Sequence, residues 1–151
     1  MNKQNKLTKE TFDPNAITLV NLGLPSGRLW AADNAPGHYT YEEALETFGN
    51  YLPKGSAIVE LIEECTVSWN DEKKGLDITG PSGNSIFLPA EGYVRPGDIK
   101  AVYKNLEGDY WSRMPLSQTG ARSLHFHSGH VYPLLSSYRS YGFSVRPCRE
   151  F

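Results

Sequence analysis

Residues 40–89, TYEEALETFGNYLPKGSAIVELIEECTVSWNDEKKGLDITGPSGNSIFLP, decide the fold class. Thr40 can cap a helix, Glu42 and Glu43 fall in its first turn where the dipole favours carboxylates, and Gly49 closes it. Tyr41, Leu45 and Phe48 lie on one stripe, as a helix with a single buried side requires. A second helix fits residues 56–65, with Ile58, Leu61, Ile62 and Cys65 facing inward. Pro53 and Gly55 separate the two. At Thr66 the period changes: TVSWN, LDITG and SIFLP read as short strands, and DEKKG and PSGN as the turns between them.

Working outward, residues 17–22 and 28–31 read as two short strands around a Pro-Ser-Gly turn. Residues 1–14 are polar, end at Asp13-Pro14, and read as a flexible N-terminal arm. Downstream, DYWSR, ARSLHFH, HVYPL and GFSVRP alternate as strands again. Strands, two helices, then many strands make an α+β domain spanning residues 15–151, with no internal repeat.

The 151 residues suit one domain, and 39% hydrophobic residues with two cysteines argue against disorder or a disulfide scaffold. With 15 Lys+Arg against 17 Asp+Glu the net charge is -2, so nucleic acid is not an expected partner. The basic start lacks the apolar core of a secretory signal, and no run approaches the roughly 18 apolar residues of a membrane span. The chain is expected to be made without export and not to insert into a membrane. Cys65 and Cys148 are taken as free thiols.

Chemical motifs are sparse. Trp69-Asn70-Asp71 is similar to the calcium tripeptide of sugar-binding lectins, but calcium needs about 6–8 oxygens and a hairpin turn explains it better. His125, His127 and His130 form H-x-H-x-x-H, yet no carboxylate or cysteine lies close in sequence to complete a zinc site. There is no nucleophile elbow, zinc-protease helix or phosphate loop, so neither catalysis nor a cofactor or metal is expected.

One stretch departs from the rest. Residues 116–147, LSQTGARSLHFHSGHVYPLLSSYRSYGFSVRP, hold no Asp, Glu, Lys, Met or Trp. Their polar positions carry Ser, Tyr, His and Arg, the types that contact surfaces favour. Alternation points Leu124, Phe126 and Val131 to the core and Ser123, His125, His127, His130 and Tyr132 outward. Phe143 and Val145 read as core. With Arg122, Arg139 and Arg146 and no acid nearby in sequence, that face is expected to be locally positive.

VNLGLPSGRLWAADNA, GNSIFLPAEG, GDYWS and GFSVRPCRE resemble the repeated blocks of the Fibrobacter-succinogenes-type major paralogous domain, a group similar to the variable proteins of diversity-generating retroelements. The resemblance spans about residues 17–150. It implies a C-type lectin-like fold, with two helices flanking antiparallel sheets and paired N- and C-terminal strands. It further implies a ligand- or receptor-binding display protein whose region at about 110–147 is rewritten at template adenines. Asparagine codons so rewritten give Ser, Tyr, His, Leu, Arg and Pro but never Lys, Glu, Gln, Met or Trp, a bias that residues 116–147 follow except at Gln118. The implied framework is Trp111, Ser112, Leu124, Phe126, Gly129, Val131, Gly142, Phe143, Val145, Arg146 and Pro147. The implied diversified, ligand-contacting set is Arg113, Leu116, Ser117, Ser123, His125, His127, His130, Tyr132, Leu134, Leu135, Ser136, Ser137, Tyr138, Ser140 and Tyr141. A bacterial surface protein or glycan is the implied partner, met from a phage virion or a bacterial cell surface. The alternative is a structural or assembly module of such a structure. The fold is also similar to formylglycine-generating enzymes, whose paired catalytic cysteines have no counterpart in the isolated Cys65 and Cys148.

Overall fold

The computed structural model describes residues 6–150. The chain runs β1 (Leu19–Val20), β2 (Leu29–Ala31), α1 (Tyr41–Phe48), a 3₁₀ turn (Gly49–Tyr51) and α2 (Gly55–Glu64). Then follow β3 (Thr66–Asn70), β4 (Gly75–Thr79), β5 (Ser85–Pro89), β6 (Glu107–Pro115), β7 (Gly120–His127), β8 (His130–Tyr138) and β9 (Cys148–Arg149). They form three antiparallel three-stranded sheets, β1-β2-β9, β3-β4-β5 and β6-β7-β8, in an α+β arrangement. Both ends of the domain meet in the first sheet: Leu29 pairs with Arg149 and Trp30 with Cys148, while Leu19 pairs with Ala31.

The helices follow their local signals. The Thr40 hydroxyl accepts from the Glu43 backbone N–H, and the Glu43 carboxylate accepts from the Thr40 N–H at 2.9 Å, a reciprocal capping box. Tyr41, Ala44, Thr47 and Phe48 are buried, with Leu45 partly so. In α2, Ala57, Ile58 and Leu61 are buried, with Ile62 and Cys65 packed beside them. Both cysteines are free, Cys148 wholly buried and its thiol pushed up to about 12 by burial. No helix among the described residues is long and apolar enough to cross a membrane.

Trp69-Asn70-Asp71 is the end of β3 entering the hairpin turn at residues 71–74. The Asn70 side chain accepts from the Lys73 N–H and donates to Asp77, Trp69 Nε1 donates to Asp71, and Lys74 takes the left-handed conformation.

The late sheet is packed on both sides. Tyr110, Leu124 and Phe126 face one cluster, together with α2, β4, β5 and Trp30. Trp111 and Ala121 face a second, made by Tyr39, Tyr41, Phe48, Leu52, Phe143 and Val145. Gly108 permits the first contact, since a Cβ there would overlap the Phe126 ring. GFSVRP, expected as a strand, is an extended segment held by single bridges. Phe143 bridges Tyr39, Gly142 bridges Val94, and Ser144 runs parallel to Tyr110. Phe143 stacks on Trp111 with ring centroids 4.3 Å apart.

Of the expected N-terminal arm, residues 1–5 lie outside the described part. Beyond them the chain packs onto the second cluster: the Leu7 N–H donates to the Tyr39 hydroxyl, and Phe12 meets Phe48 edge-on at 4.9 Å. Those contacts replace the looseness expected for that segment.

Candidate functional site: a ring-lined face on the late sheet

Register assembles the site. Across β6 and β7, Glu107 pairs with His127, Asp109 with His125 and Trp111 with Ser123. Across β7 and β8, His127 pairs with His130, His125 with Tyr132 and Ser123 with Leu135. Cross-strand partners share a face, so Glu107, Asp109, His125, His127, His130 and Tyr132 stand together. The same face at Trp111 and Ser123 lies under the second core cluster. The sheet is thus anchored at one end and open at the other. Its open end holds a packed set of rings: His130 and Tyr132 at 4.4 Å, His125 and Tyr132 at 5.6 Å, and His125 and His127 at 6.0 Å.

A second row of rings adjoins this set. Tyr103 stacks on Tyr93 at 5.8 Å, Tyr93 on Tyr141 at 5.2 Å, and Tyr141 tilts against Tyr138 at 6.0 Å. Tyr138 and Tyr103 are the exposed ends, at 66% and 51%. Tyr93 lies in the middle of this row, and partial burial raises its hydroxyl's pKa, with the Glu107 charge and the neighbouring tyrosines adding to the effect. Tyr103 has φ 59°, a left-handed conformation uncommon for a bulky residue, and there it holds its ring in solvent.

The diversified positions divide. His125, His127, His130 and Tyr132 meet at the open end, and Tyr138 and Tyr141 belong to the tyrosine row. Leu116, Leu135, Ser136 and Ser140 are exposed elsewhere. Ser117 closes the turn before β7, accepting from the Thr119 and Gly120 N–H groups. Arg113 turns away to Asn50, donating at 2.8 Å, and the half-buried Leu134 sits near the start of α2, beside Gly55.

Two expectations are corrected. Ser123, expected to point to solvent, is fully buried, its hydroxyl 2.8 Å from that of Ser137. It does lie on the predicted face, but the second cluster covers that end. The locally positive surface also fails. Arg146 is buried and donates to Asn34 and to the Ala31 and Phe87 carbonyls, and Arg139 pairs with Glu42 at 2.9 Å. Arg122 reaches Ser136, while Glu107 and Asp109 bring acid into the face from a neighbouring strand. Acids absent from residues 116–147 arrive through pairing.

Sequence reasoning missed four members of the surface: Tyr93 and Tyr103 from an irregular loop, and Glu107 and Asp109 from β6. Only Asp109 stood in a quoted block, GDYWS, and only strand register could reveal its partner. His125 Nδ1 is 2.7 Å from Asp109 Oδ1 and 3.5 Å from Glu107 Oε2. The Asp109 hydrogen bond raises the imidazole's pKa against the opposing effect of burial. The Glu107 carboxyl is pushed up to about 7, by partial burial first and by the adjoining Asp109 carboxylate second.

Comparison with protein-family models, with curated proteins and with solved structures finds no match to this chain.

Proposed function

We propose that the chain is a C-type lectin-like display domain, a variable protein of a diversity-generating retroelement, that binds a bacterial surface protein or glycan and carries out no catalysis. It acts from a phage virion or a bacterial cell surface. The observation that carries this reading is the open, ring-lined face on a sheet anchored by two cores. Tyrosine and histidine rings give rigid, amphipathic contact area with little rotamer entropy to lose, and stacking orders them in advance. Exchanging them leaves Tyr110, Trp111, Leu124 and Phe126 in place, so specificity can vary on a constant frame. The pairing of the terminal strands and the two helices beside antiparallel sheets support the lectin-like assignment.

Sequencing the gene with its flanking DNA tests the diversification directly. A near-identical copy of codons 110–147, differing only at adenines and lying beside a reverse transcriptase gene, is the expected result. An intact flanking region without that copy contradicts it.

A second reading, an assembly module, draws on the exposed apolar side chains Met114, Leu116 and Leu135, at 42%, 47% and 40%. It requires constant self-association, abolished by Leu116→Ser with Leu135→Ser. A monomer by sedimentation excludes homomeric packing through this face.

A further inference from the structure

Glu107, Asp109 and His125 each offer one ligating atom, and these atoms all lie within 4.8 Å of one another. Acidic residues beside a histidine are common on protein surfaces, and proximity alone would mean little. Here the middle carboxylate is not a surface group. The Asp109 side chain is only 6% exposed, and its Oδ2 is buried without a hydrogen-bond partner among the described residues. A buried carboxylate oxygen left unpaired is costly, and a second carboxylate in contact raises that cost. His125 satisfies Oδ1 alone. A cation bound among the three groups would neutralise the two carboxylates and give the Asp109 carboxylate a partner beyond His125.

We propose that Glu107, Asp109 and His125 bind a single divalent transition-metal ion, with Zn²⁺ the ion whose ligand preferences they match best. One imidazole nitrogen with two carboxylates suits zinc, whereas calcium and magnesium seek shells of oxygen. Tetrahedral zinc with bonds near 2.0–2.1 Å sets neighbouring ligand atoms about 3.3 Å apart. The His125 Nδ1 separations of 2.7 Å and 3.5 Å bracket that figure, and no pair of ligand atoms in the trio is more than 4.8 Å apart, so side-chain adjustment admits the ion. Binding displaces the proton that His125 Nδ1 shares with Asp109, because the ligating nitrogen must offer its lone pair. Side-chain exposures of 17% for His125 and 21% for Glu107 leave a route from solvent. Three protein ligands leave the fourth position open on the ring-lined face, for water or a partner's donor atom. His127 is not a ligand in this arrangement, because its Nδ1 accepts the Gly129 N–H and places the proton on Nε2. The site does not depend on the display reading and stands or falls separately from it.

The test uses the full chain, stripped with a chelator and titrated with Zn²⁺ against a chromogenic competitor. Co²⁺ serves as a spectroscopic substitute. Expected are one ion per chain, a cobalt absorption band characteristic of mixed nitrogen and oxygen ligation, and a higher melting temperature with metal. Glu107→Gln and His125→Gln should each weaken zinc binding at least tenfold, while the paired change His127→Gln with His130→Gln leaves it unaltered. Metal-free circular dichroism checks the fold of each variant. Should Asp109→Asn fail to fold, the two partly exposed positions decide. Absence of saturable one-to-one binding overturns the proposal, as does equal binding by the wild-type chain and folded Glu107→Gln. Loss of binding in the His127 and His130 variant alone would also overturn it, by moving the metal to surface histidines.

Discussion

Tyr132 and Tyr138, at 39% and 66% exposure, contribute contact area to the open face and little to the core. Their replacement by alanine is expected to weaken partner binding by about 2 kcal/mol each, as loss of an anchoring aromatic does, with the melting temperature nearly unchanged. Binding to bacterial cells alongside a thermal melt checks this. An equal loss of stability contradicts it. Trp111 presents the opposite case: it is fully buried, stacked on Phe143, and its Nε1 donates to the Tyr39 carbonyl at 2.7 Å. Trp111→Ala is expected to cost about 3–5 kcal/mol, measured by chemical denaturation. Individual residues also mark where reading the sequence stopped short. Ser123 sits in a polar, alternating string and was assigned correctly to a face, but alternation does not report what lies over that face. Arg146 looked like surface charge because the three oxygens it satisfies come from two segments far from it in sequence, residues 31–34 and Phe87.

At the scale of elements, the helices were legible because their signals are local. The capping box at Thr40 and Glu43 stands within a single turn, and Thr40→Ala is expected to cost about 1 kcal/mol. Partial burial pushes the Glu43 carboxyl up, but the Thr40 backbone N–H and the Lys6 ammonium outweigh it and hold the group below its ordinary 4.5. A folded-state value below the unfolded one stabilises the fold above that ordinary value, and the benefit fades as pH falls through the folded-state value. Thermal melts from neutral to acidic pH should therefore show a steeper loss for the wild-type chain than for Glu43→Gln; parallel curves contradict this. Strands of the late sheet were less legible. The register shifts between Trp111 and Pro115 and again between Ser123 and His125, so Tyr132 and Leu135 share a face although three positions apart. A bulge leaves no fixed period in sequence. Tyr93 and Tyr103 lie in a loop without any period, and the tyrosine row emerges only when residues 91–106 fold back against Tyr141.

Across the whole molecule, the arrangement rests on a sheet covered on both faces at one end and on one face only at the other. The α+β order of elements followed from periodicity, whereas the second core did not, because its members come from Leu7 to Val145. That architecture separates residues that hold the backbone from residues that meet a partner. The most direct measurement randomises His127, His130, Tyr132, Tyr138 and Tyr141 together and scores the library for folding by protease resistance on a display platform. A parallel library at Tyr110, Trp111, Leu124, Phe126, Phe143 and Val145 supplies the contrast. Most members of the first library are expected to fold and to differ in what they bind, and almost none of the second to fold. Comparable loss of folding in both libraries would contradict the separation of frame from contact surface.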